Sequence, residues 1–137
     1  MTKHLLALVA VGLLVVAFMP PVASPVTPPA PTSKVAQCLK AASKEDKARV
    51  HAFYSALADV MERDSAVIMT TGLFRTVHAN SLDLAFKGTD LPGKYAGLDQ
   101  AINDELVAAI GLENVALTPE KKSALVAALK EVADAGR

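Results

Sequence analysis

From Val50 onward, apolar side chains fall on one side of a helix. Val50, Phe53, Tyr54, Leu57, Val60 and Met61 recur at i, i+3, i+4, i+7, i+10 and i+11, the spacing of a single helical face. Lys47, Arg49, Ser55, Asp59, Glu62 and Arg63 take the other faces. Ser43 to Asp46 reads Ser-x-x-Asp, a capping box ahead of an apolar pattern. The predicted helix therefore runs from about Lys44 to Asp64. A shorter helix over Val35 to Ala42 leads into it.

Three further helices follow. Thr70-Thr71 opens one whose apolar set is Leu73, Phe74, Val77, Leu82, Ala85 and Phe86, and Lys87-Gly88 closes it, a cation followed by glycine. Its apolar arc is wide, so it is expected to be the most buried. Leu91-Pro92-Gly93 marks a turn. The next helix spans Leu98 to Ile110, with Ile102, Leu106, Ala109 and Ile110 inward and Gly111 as cap. The last has the clearest start, with Thr118 as N-cap, Pro119 at the first helical position and Glu120 in the first turn. Leu125, Val126, Leu129, Val132 and Ala133 form its stripe, and Gly136 ends it. No convincing period-2 alternation occurs; Ala66-Val67-Ile68-Met69 is expected to pack under a loop. The fold class is all-α, a small bundle of about four helices over residues 34–137.

The first 33 residues have a different character. Leu5 to Met19 is an unbroken apolar run behind a short basic start that contains Lys3. As a helix it rises roughly 22 Å, short against a bilayer core of about 30 Å. That length suits the apolar region of a signal peptide. The best cleavage site, however, is Pro21-Val22-Ala23 before Ser24, and proline is neither small nor pliant there. Two readings stand for residues 1–19: a transmembrane anchor, or a signal peptide. Under the first, Lys3 stays cytoplasmic and the C-terminal domain lies outside, periplasmic or extracellular; under the second, the domain is secreted. Residues 20–33 hold Pro20, Pro21, Pro25, Pro28, Pro29 and Pro31. They are expected to form a semi-rigid polyproline II linker reaching about 43 Å.

Charge and composition remove several function classes. Lys plus Arg is 14 and Asp plus Glu is 14, for a net charge of zero. Such a chain has no basic field for nucleic-acid phosphates. It contains no Trp and 4% aromatics, too few for base-stacking platforms. No phosphate-binding loop, dinucleotide fingerprint or nucleophile elbow is present.

Few residues suggest chemistry. His51 and His78 lack the spacing that metal sites in bundles use, so His78 is expected as a core histidine with a hydrogen-bond partner and His51 as a surface one. Asn103-Asp104-Glu105 is acidic, but its place in the first half of a helix suits dipole stabilisation. No catalytic, cofactor-binding or metal residue is assigned. The chain's one cysteine, Cys38, cannot form an internal disulfide. In an oxidising compartment it is expected either to pack as a small hydrophobe or to form an intermolecular disulfide, giving a homodimer.

The stretch from FYSALADVMERD to LDLAFKGTDLPGKYAGL has the general look of small anchored or exported proteins, some of them from phages. That resemblance assigns no residue a role. The expected function is a non-catalytic, membrane-tethered or exported helical module that acts by protein–protein contact, held to the membrane through residues 5–19. The alternatives are a phage lysis or envelope accessory protein, similar to spanins or holin partners, and a small exported enzyme.

Overall fold

The computed structural model describes residues 33–64 and 68–137. The apolar run, the proline-rich linker up to residue 32, and Ala66 and Val67 lie outside the described residues. Five helices follow one another: α1 (Lys34–Cys38), α2 (Lys44–Asp64), α3 (Thr71–Ala85), α4 (Leu98–Ile110) and α5 (Pro119–Ala135). Among the described residues no strand forms, and an isolated antiparallel bridge joins Thr70 to Ala116. The described chain is thus helical, as the periodicity predicts. None of its helices is long and apolar enough to cross a membrane.

The helix starts follow local chemistry. The hydroxyls of Ser33, Thr70 and Thr118 accept from the amides of Ala36, Leu73 and Lys121, each satisfying one otherwise unpaired amide of a first turn. Ser43 does the same for Asp46 at 3.1 Å. The reciprocal half of that capping box takes a different form. The Ser43 amide donates to the Tyr95 hydroxyl at 3.3 Å, while the Asp46 carboxylate accepts from Tyr95 at 2.5 Å and from Lys94 at 3.1 Å. These bonds, Tyr95 first and then Lys94, hold the Asp46 carboxyl below the ordinary aspartate range. They also tie the 86–97 loop to the start of α2.

Helix α5 is the centre of the bundle. It packs against α1, α2 and α4 and buries Leu125, Val126, Ala128, Leu129, Val132 and Ala133. This corrects the expectation that the helix after Thr70 is the most buried. Within α3 only Thr71 and Phe74 are buried, and Leu73 is 42% exposed. The backbone of α3 stays further from the other helices than theirs do from one another, and of its apolar arc Phe74 is buried while Val77 and Leu82 pack part-buried against the core. Instead α3 is held by large side chains, with His78 and the following Phe86 against Phe53 and Tyr54 of α2, and Phe74 stacked on His78. Val60, assigned to the inward face of α2, is 46% exposed, while Leu57, Ala58 and Met61 around it are buried, so Val60 stands at the edge of the inward face. The short first helix ends at Cys38, with turns as far as Ala41.

The start of α3 is clipped to the loop between α4 and α5. The Leu117 amide donates to the Met69 carbonyl at 2.9 Å, and the Gly72 amide to the Asn114 side-chain oxygen at 2.9 Å. Arg75 reaches the Gly111 carbonyl. Ile68 is buried, as expected of the apolar segment before Thr70, while Met69, expected to pack with it, is exposed.

Candidate functional site

Tyr54 sits on the inward face of α2 and is fully buried. A buried phenol needs a partner for its hydroxyl. It finds His78, across on α3, whose Nε2 lies 2.9 Å from the Tyr54 oxygen. Two rings fix the imidazole: Phe74 stacks on it at 5.9 Å with a 7° interplanar angle, and Phe53 lies tilted at 6.2 Å. Phe53 also meets Tyr54 edge-on at 4.8 Å. The Tyr54–His78 pair is therefore the polar centre of an aromatic cluster that joins α3 to the bundle.

This pair lines a hollow of about 300 Å³. Leu82 of α3 and Ile102 of α4 supply apolar walls. Asp99, Gln100 and Asn103, all in the first half of α4, supply the polar side. Gln100 is engaged, donating to Asp104 at 2.7 Å. No Lys or Arg pairs with Asp99 among the described residues, where the ion pairs join Lys34–Asp104, Arg63–Asp59, Lys94–Asp46, Lys130–Glu62 and Arg137–Asp134.

The protonation states follow from this setting. Burial, and then the Asp99 carboxylate, push the Tyr54 hydroxyl well above the ordinary phenol range. Burial pushes His78 below the ordinary imidazole value. At neutral pH the phenol keeps its proton and the imidazole is uncharged. Tyr54 is then no nucleophile, and the imidazole nitrogen facing it is already hydrogen-bonded. The arrangement offers hydrogen bonds and ring faces, which suits holding a molecule better than abstracting a proton from one.

The other singled-out residues lie elsewhere. His51 is half-buried and its Nδ1 lies 2.8 Å from the Ala133 carbonyl. It therefore ties α2 to the end of α5, which corrects the expectation of a plain surface histidine. In the acidic run, Asp104 faces Lys34 at 3.9 Å. Glu105 is raised above the ordinary glutamate value by burial and then by Glu131 on α5. No group of three or more metal-ligating side chains occurs among the described residues. Cys38 is half-buried at the end of α1 and packs against the core. It lines a separate shallow hollow with Lys34, Gly97 and Asp104. Gly97 has a left-handed φ of 80° at the start of α4, and a Cβ on it would stand 3.6 Å from the Cys38 sulfur.

Sequence reasoning placed Tyr54 in an apolar stripe and His78 on an inward face without pairing them. The available signal was the unmet hydroxyl of a tyrosine at a core position. Asp99 and Asn103 carried no local signal, because their role depends on how α4 lies against α2 and α3.

No family model, curated protein or solved structure matches this chain.

Proposed function

We propose that the chain is a non-catalytic helical module that acts by protein–protein contact, tethered to a membrane through residues 5–19 or exported when that segment is removed. The observation that carries the contact role is the apolar surface around the loop between α4 and α5. Leu112 is 77% exposed and Met69 is 69% exposed. Leu112 borders a shallow hollow of about 460 Å³ whose lining includes Val107, Ile110 and Val115, with Glu113 and Lys121 beside them. Single exposed apolar residues are ordinary. Apolar side chains grouped around one hollow and edged by both charges are the pattern of a contact surface. The tether rests on the unbroken apolar run and its poor cleavage sites.

Two experiments test this reading. A photo-crosslinking side chain at position 112, activated in cells, is expected to give one discrete adduct that Val115→Asp removes. A smear or no adduct overturns the contact role. Fractionation with N-terminal sequencing tests the tether: an intact chain pelleting with membranes after a salt wash supports it. A soluble chain starting near Ser24 replaces it with export, and a soluble intact chain overturns both. Cys38 belongs to the same proposal. Copies confined to one membrane plane have a raised effective concentration, so a disulfide-linked homodimer through Cys38 is expected on a non-reducing gel. A monomer band alone overturns the dimer.

A further inference from the structure

We infer that the hollow beside Tyr54 and His78 binds a small alkylammonium ion, with Asp99 taking its charge. Three features favour this class of ligand. Asp99 brings a carboxylate to the hollow with no Lys or Arg paired to it among the described residues. Asn103 stands one turn further along the same face of α4, where i and i+4 side chains are neighbours, and its carbonyl is a second acceptor for an N–H group. The half-buried side chains of Leu82 and His78 are the apolar lining that a ligand can reach, with Ile102 and Tyr54 buried behind them, so a hydrocarbon tail has an apolar wall.

The same features exclude other classes. No Lys or Arg lines the hollow, so an anion meets Asp99 with nothing to offset the repulsion. At about 300 Å³ the hollow lies at the lower end of ligand pockets, which span about 300–1,000 Å³, and only a small amine fits. Asp99 also favours the N-terminal turn of α4. That role alone predicts a change in stability on substitution and no effect on any ligand.

The test follows the His78 ring signals of the full chain by proton–carbon NMR, in a non-ionic detergent where its apolar segment needs one. His78→Gln identifies the signals. The probes are n-butylammonium chloride, n-butanol and sodium butyrate at fixed ionic strength. A saturable shift with butylammonium alone is expected. Asp99→Asn should weaken it roughly tenfold or more, the loss expected when a hydrogen bond to a charged group is removed. Asp104→Asn, on the same helix but paired with Lys34, should leave it unchanged. An equal response to butanol, saturation by butyrate, no saturable shift at all, or an Asp99→Asn protein that binds as the unaltered chain does would each overturn the inference.

Discussion

Thr71 and Val115 are bonded to each other twice. The Thr71 amide donates to the Val115 carbonyl at 2.9 Å, and the Val115 amide donates to the Thr71 hydroxyl at 3.0 Å. The hydroxyl in turn donates to the Glu113 carbonyl at 2.8 Å. Thr71 is fully buried, so one side chain replaces water for two backbone groups of the loop between α4 and α5. Because α3 lacks a close helical neighbour, this clip does much of what helix packing does elsewhere in the bundle.

Thr71→Val keeps the shape of the side chain and removes the hydroxyl. The Val115 amide and the Glu113 carbonyl then lose their partner. The expected cost is about 1–3 kcal/mol, read by chemical denaturation. Thr71→Ser restores both bonds and should recover most of the loss. Equal stability of the valine and serine variants would show that the hydroxyl contributes nothing.

Gly136 lies against the backbone of α2. A Cβ there would stand 2.6 Å from the Lys47 carbonyl oxygen and 2.9 Å from the His51 nitrogen. Both are backbone atoms, so they yield only if α5 moves away from α2, its main packing partner. Gly136→Ala is expected to cost about 1–3 kcal/mol, as overpacking does. Gly93→Ala meets only an ordinary contact at 3.6 Å and should stay within about 0.5 kcal/mol. Matching melting temperatures for the two variants would contradict the close approach.

The contrast between these sites shows which parts of the molecule can be read without its structure. The start of α5 was legible because Thr118, Pro119 and Glu120 act on their own first turn, and the structure finds Thr118 capping Lys121. The start of α2 at Ser43 and the end of α4 at Gly111 were legible for the same local reason. The burial of α3 was not. An apolar arc records that a face prefers to leave water, but not whether a neighbour reaches it, and Leu73 remains 42% exposed. Asp46 shows the same limit. Its place in a capping box is local, yet its carboxylate is held by Tyr95, 49 residues away. The hollow at Tyr54 depends on three helices at once, so only its histidine and the unmet phenol left a trace in the sequence.

Glu105 and Glu131 bring like charges together between α4 and α5. Burial and the Glu131 charge raise the Glu105 pKa above its ordinary value of 4.5. A raised folded-state pKa means that the unfolded chain loses its proton first. Stability from this pair is therefore present below about pH 4.5 and declines as pH rises through the folded value. Glu131→Lys replaces repulsion with attraction at an exposed position. It should stabilise the fold at neutral pH by about 0.5 kcal/mol, the scale of exposed ion pairs, with a smaller gain near pH 4. Denaturation at both pH values checks this, and a loss of stability at neutral pH would refute the pairing.

His78 sets the opposite slope. Burial holds its pKa below the ordinary imidazole value of 6.5. In the unfolded chain the ring takes up a proton as pH falls through about 6.5, whereas the folded ring stays neutral to lower pH. Within that window the unfolded state binds more protons, so stability falls as pH falls and levels off below the folded pKa. The Tyr54–His78 bond at 2.9 Å adds to this wherever the phenol is the donor, since a protonated imidazole cannot accept. His78→Gln offers Tyr54 an acceptor and does not titrate. The variant should be less stable than the unaltered chain at pH 7.5, because an amide fills the stacked site against Phe74 poorly. That difference should shrink steadily as the pH is lowered from 6.5 toward 5. The Asp46 carboxyl, held below its ordinary value of 3.8, affects stability only below that range and leaves this window clear. Denaturant midpoints for both proteins across the series measure the difference directly. Parallel curves would mean that His78 binds its proton as readily in the folded protein as in the unfolded chain.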